Sequence, residues 1–146
     1  MVSAQVVANT FLYYGFEEGI KITPMKLQKL VYFLFQRYAK TTQNKLFSEQ
    51  FETWKYGPVL PSIYFEFNSY GSSPIKKFAR DAQGKVHILN IPSDKALNDC
   101  WNDIWNRYKY YSGPELSAIT HQEGTAWSKA KNKGSPTLNF EDIINE

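Results

Sequence analysis

The residues best suited to chemistry lie late in the chain, in THQEGTAW at 120–127. His121 beside Glu123 has the makings of a general base oriented by a carboxylate. Such a base needs a second catalytic group or a cofactor, and the sequence supplies no pattern for one. It contains no P-loop, GxGxxG, HExxH, CxxC or GxSxG, and its Asp and Glu residues are scattered. Cys100 is the only cysteine, and His87 and His121 are the only histidines, so neither an internal disulfide nor a Cys/His zinc cluster can form. Cys100 falls on the apolar face of a helical pattern, where cysteine acts as a small hydrophobe. The favoured reading of His121 is structural: its ring nitrogens tie a helix end to neighbouring backbone. Thr120 and Glu123 also fit a T-x-x-E capping box, although Gly124 interrupts the helix that should follow. The expectation is no catalytic residue, no metal, no cofactor and no enzyme activity.

Charge offers a second kind of chemistry. From Gly19 to Ser48 there is no Asp or Glu, while Lys21, Lys26, Lys29, Arg37, Lys40 and Lys45 lie in that span. On a helix, Lys26, Lys29, Arg37 and Lys40 occupy an arc of roughly 80°, with Phe33 inside it. These five residues are the candidate docking strip, for an acidic protein or a phosphate backbone. The plainer reading is a solvated face paired with Glu49 or Glu52. Net charge is only +3, too small to favour nucleic acid on balance alone.

The third candidate is WKYGPVLPSIY at 54–64. Trp and Tyr bury large areas, and Pro and Gly fix a change of direction. The stretch reads as a core corner, with a rigid partner surface as the rival; one face can pack while the other binds. Gly57→Val is expected to misfold if this residue needs a positive φ.

The elements that position these residues are mostly helical. Val7, Phe11 and Tyr14 give a first helix over 3–14, capped by Ser3 and stopped at Gly15 or Gly19. Thr23-Pro24 opens the clearest helix, running to about Ala39, with Leu27, Leu30, Val31, Leu34 and Tyr38 on one face. FETWKYG is extended, and Tyr56-Gly57-Pro58 turns the chain. Pro61 opens a further helix closed by Gly71, with Ile63, Phe67 and Tyr70 inward. Residues 72–92 read as loop with a hairpin turn near Asp81–Gly84. Ser93 caps a long amphipathic helix carrying Leu97, Cys100, Trp101, Ile104, Trp105 and Tyr108. Short helices follow near Pro114, after Thr125 and in FEDIINE. The fold class is mainly α: a compact single domain over 1–146 with at most a small β-hairpin or two- to three-stranded sheet.

Length and composition agree with that. The chain has 146 residues, 42% apolar and 16% aromatic, enough for a core of large rings and against disorder. The start lacks a basic n-region, and the longest apolar run, LVYFLF, is far too short for a bilayer. A cytoplasmic protein without membrane contact is expected.

Three blocks resemble, in order, the signatures of the Panacea domain, the SocA-like antitoxin family that includes phage-associated GepA-like proteins. The first is a K-L-Q-K-L-x-Y helix: Lys26, Leu27, Gln28, Lys29, Leu30 and Tyr32. The second is an aromatic W-x-x-G-P-V turn: Trp54, Gly57, Pro58 and Val59. The third is L-S-x-x-T-H with a later Trp: Leu116, Ser117, Thr120, His121 and Trp127. Residues 76–95 match none of these blocks. The resemblance implies a helical, non-enzymatic antitoxin that neutralises a cognate protein toxin, encoded by an adjacent gene and often in a prophage, by direct binding. In one branch it implies an adaptor delivering the toxin to a Clp-type protease. The alternative is a nucleic-acid-binding or prophage regulatory protein using the basic helix 24–40. Exposed aromatics would equally serve a homodimer.

Overall fold

The computed structural model describes residues 2–146. Among them are seven α-helices, one two-stranded antiparallel sheet and two short 3-10 turns. The helices are α1 (Ala4–Glu18), α2 (Pro24–Thr42), α3 (Pro61–Phe67), α4 (Lys95–Tyr108), α5 (Gly113–Thr120), α6 (Ala126–Lys133) and α7 (Phe140–Asn145). Strands β1 (Glu52–Trp54) and β2 (Gly57–Val59) form the hairpin, and Thr137 bridges to Glu52 beyond it. The mainly α fold with a small hairpin is as the sequence indicates. No helix of the described residues is long and apolar enough to cross a membrane.

Helix α2 is the axis. It packs against α1, α3, α4, α5, α7 and β2, and every residue from Lys26 to Phe35 is buried. Thr23 caps it by accepting from the Lys26 amide, and Pro24 fills the first position, where a missing N–H costs nothing. It extends to Thr42, three residues past the expected end, and closes with Gln43 at φ 61. Around it the rings form a continuous core. Phe11 and Tyr14 lie 4.3 and 4.8 Å from Trp101, and Phe33 stacks on Tyr108 at 4.7 Å. Phe35, Phe47 and Phe51 fill the far end.

The structure settles one open choice, corrects one cap and leaves one turn without strands. Helix α1 runs through Gly15 and stops at Gly19, which takes φ 69. Gly15 instead gives room for Ile22, whose side chain would lie 2.8 Å from a Cβ there. The cap of α4 is Asp94, accepting from the Leu97 amide, while Ser93 belongs to the preceding 3-10 turn. The Asp81–Gly84 turn forms, but no strands flank it. The segment is held instead by polar side chains of α1. Asn9 donates to the Ala79 carbonyl and accepts from the Ala79 amide, and Thr10 accepts from the Leu89 amide. These buried groups meet the loop's backbone demand that a sheet would otherwise meet.

Candidate partner-binding site

The three sequence blocks converge on one short stretch of backbone, 54–60. In the hairpin turn, Lys55 and Tyr56 keep negative φ and Gly57 takes φ 115. A Cβ on Gly57 would lie 2.6 Å from Thr120 Oγ1 and 3.0 Å from Lys29 Cε, so the residue is glycine for both dihedral and space. The positive φ on which the expected misfolding of Gly57→Val depends is present.

Around this corner, side chains from α2, α5 and α6 engage its peptide groups. Lys29 Nζ donates to the Pro58 carbonyl at 2.9 Å. Gln28 both donates to the Leu60 carbonyl and accepts from the Leu60 amide, at 3.0 and 2.9 Å. Ser117 Oγ donates to the Tyr56 carbonyl, and Trp127 Nε1 donates to that of Trp54 at 2.7 Å. His121 places Nε2 3.0 Å from the Lys55 carbonyl and Nδ1 2.8 Å from that of Ser117. Its ring meets Trp127 edge-on at 3.9 Å. The carbonyls of Trp54, Lys55, Tyr56, Pro58 and Leu60 are thus all held from behind. Both ring nitrogens of His121 are engaged with backbone, so the base oriented by Glu123 is not assembled. The expected Thr120–Glu123 capping box is also absent: Thr120 donates to the Ser117 carbonyl, and the chain turns at 121–124.

The docking strip is corrected by the packing. Lys26, Lys29 and Phe33 are 5%, 1% and 3% exposed. Lys26 donates to the Lys109 carbonyl. Arg37 pairs with Asp103 at 2.6 Å, and Lys40 donates to the Glu146 backbone oxygen. The predicted partners are wrong as well. Glu49 accepts from the Ala4 amide and Ser62, and Glu52 accepts from Trp54 Nε1. The arc faces elements that periodicity on α2 alone cannot reveal. Burial pushes Lys29 down from 10.5 to about 7 and also pushes Lys26 down, the latter opposed by Glu115.

Beside the clamp, and lined in part by its residues Gln28 and Lys29, lies a groove of about 460 Å³ between the corner, α3 and the start of α2. Trp54, Tyr56, Tyr64, Val59, Ile63 and Met25 give it apolar walls. Trp54 and Tyr64 meet edge-on at 4.8 Å. Tyr56 and Tyr64 are 55% and 39% exposed, and neighbouring Phe65 is 71% exposed. Sequence reasoning singled out 54–64 but not Met25, Lys55, Tyr56 or Tyr64 as the presented side chains. The available signal was the turn itself: the two residues between paired strands must point away from the clamp.

A family model described as "Antitoxin SocA-like, Panacea domain" matches residues 27–128. The chain belongs to the SocA-like Panacea domain family. It is 30% identical over 134 residues to "Antitoxin SocA" of Caulobacter vibrioides (strain NA1000 / CB15N), covering 90% of this chain and 71% of that protein. Family membership carries an antitoxin role in general. No solved structure matches the chain.

Proposed function

We propose that this protein is an antitoxin that neutralises a cognate protein toxin in the cytoplasm by binding it directly, the toxin being the product of an adjacent gene. The contact surface is the aromatic groove beside the clamped corner. One observation carries the reading: the family blocks hold the backbone of 54–60, while the side chains of Trp54, Lys55, Tyr56 and Val59 line an open groove. Fixing the corner in advance lowers the ordering cost of association, and Trp and Tyr are the side chains that anchor protein interfaces best. Occlusion of the toxin and delivery to a Clp-type protease both begin with this step.

The motif residues Lys29, Gln28, Ser117, His121 and Trp127 act in this reading as supports, and Tyr56, Tyr64 and Lys55 as contacts. A nucleic-acid regulator built on helix 24–40 fits less well, because two of its four cations are buried and the other two have partners. The test is co-expression with the neighbouring gene product, scored by growth rescue and by co-purification. The wild-type chain should rescue and co-purify, and the Tyr56→Ala/Tyr64→Ala double variant, folded by circular dichroism, should do neither. Rescue and complex formation unaffected by the double substitution would overturn the assignment of the groove.

A further inference from the structure

The groove is apolar on its walls but carries positive charge only. Lys29 lines its floor and Lys55 its rim, and no Asp or Glu is among its lining residues. Lys29 makes one hydrogen bond, to Pro58, leaving two of the three donors of an ammonium unused. No carboxylate compensates it, since burial alone accounts for its lowered proton affinity. Pro24 and Met25, the first turn of the nineteen-residue helix α2, also line the groove, and that turn contains no acidic residue. The positive end of the helix dipole therefore adds to the same field. A second hollow shares Met25 and Gly71 with the groove and brings Lys21 and Lys26 with the exposed Tyr110. Its one acid, Glu115, is tied to the Ser112 amide in a capping box.

We infer that the groove takes a segment of the toxin that presents an Asp or Glu carboxylate between apolar side chains, the carboxylate lying over Lys29 and the start of α2. This rests on the antitoxin reading for the identity of the partner. Its chemistry rests on the groove alone. An apolar segment without an acid would leave the Lys29 amine buried deeper with its spare donors still unpaired, which opposes binding. A carboxylate supplies the missing acceptor where the dielectric is low. Basic segments are repelled by both lysines.

Binding by such a segment takes up a proton, because the carboxylate favours the charged amine. Affinity should therefore be highest below pH 7 and fall by about tenfold between pH 6.5 and 8.5. The groups facing Lys29 are few. Strand β2 and Thr120 bring no charge, Lys26 lies one turn before it on α2, and Lys55, Tyr56 and Tyr64 border the groove. All of these remain in a Lys29→Met variant, so the difference between the two proteins isolates Lys29.

The experiment pans phage-displayed random dodecapeptides on the full chain and retains clones that fail on the Tyr56→Ala/Tyr64→Ala variant. Those clones should carry an Asp or Glu flanked by apolar residues. The synthetic peptides should lose at least tenfold in affinity when the acid becomes its amide, and a similar factor on Lys55→Glu. Their pH dependence should vanish on Lys29→Met. Groove-dependent clones without an acid, clones indifferent to the amide swap, or no groove-dependent clones at all would overturn the inference. Rescue of growth without acidic clones rejects this chemistry and leaves the antitoxin reading standing. Acidic clones without rescue reject the toxin assignment and keep the groove's chemistry.

Discussion

Lys29 makes a sharp stability prediction. Its side chain is 1% exposed, and burial holds it at about 7 instead of 10.5. The unfolded chain therefore binds more protons than the folded one between those two values. Stability must rise with pH across that window, and the cost of the buried charge is fully present below pH 7. The slope is about 1.4 kcal/mol per pH unit where the folded amine is neutral and the unfolded one charged. Between pH 7 and 9 that amounts to roughly 2–3 kcal/mol. For a chain of this size each kcal/mol moves Tm by about 2–4 °C.

Lys29→Met keeps the stem and removes the charge, but leaves the Pro58 carbonyl without its donor, a loss of roughly 1–2 kcal/mol. The variant should exceed the wild type by about 2–3 kcal/mol at pH 6 and converge on it by pH 9. Urea denaturation followed by circular dichroism at pH 6, 7.5 and 9 measures both curves. Contributions from the other titrating groups are common to the two proteins and cancel in the difference. Parallel curves would mean that Lys29 stays charged in the fold, and would refute the burial argument.

Gly57→Val should lower stability by more than about 3 kcal/mol or prevent folding, since it combines a positive φ with a Cβ 2.6 Å from Thr120 Oγ1; a far-UV spectrum and Tm equal to wild type would contradict this. His121→Ala should cost about 2 kcal/mol by removing the ring's hydrogen bond to backbone carbonyl and its contact with Trp127, and should impair rescue only as far as it lowers the folded fraction; lost rescue at unchanged Tm would revive a chemical role. Gln28→Leu strips both partners from the buried Leu60 peptide and should cost roughly 2–4 kcal/mol by urea denaturation.

The helices were legible where one residue decided the outcome. Thr23-Pro24 fixed the start of α2, and Ser3 and Thr125 cap α1 and α6 as their positions suggest. The hairpin was legible as an extended stretch ending at Gly57. The destination of α2's polar residues was not. An acid-free run of lysines reads as surface because charge usually stays in water. Here Lys26, Gln28 and Lys29 find their partners on backbone at least 29 residues away, at Lys109, Leu60 and Pro58. Single-helix periodicity contains no information about that. The loop at 72–92 and its turn were legible, but not what holds them: the partners are Asn9 and Thr10 of α1, side chains in place of a second strand.

The clamp bonds end on backbone carbonyls and, at Leu60, also on the amide, groups that do not depend on the side chain. The frame around 54–60 therefore constrains the path of the chain and leaves the identities at 55 and 56 free. Gly57 is the exception, fixed by its dihedral and by Thr120. Lys55 and Tyr56 touch each other through a cation–π contact at 5.4 Å, worth about 0.5–1 kcal/mol at an exposed site. Replacing both with Ser should therefore change stability by no more than about 1 kcal/mol, while complex formation falls at least tenfold. The measurement pairs a urea melt with titration of the co-purified toxin. A large stability loss would show that the corner's side chains hold the fold. Unchanged binding at unchanged stability would move the contact surface elsewhere. The expected outcome separates frame from contact: one set of residues fixes the backbone, and another, adjacent in sequence, is free to match a partner.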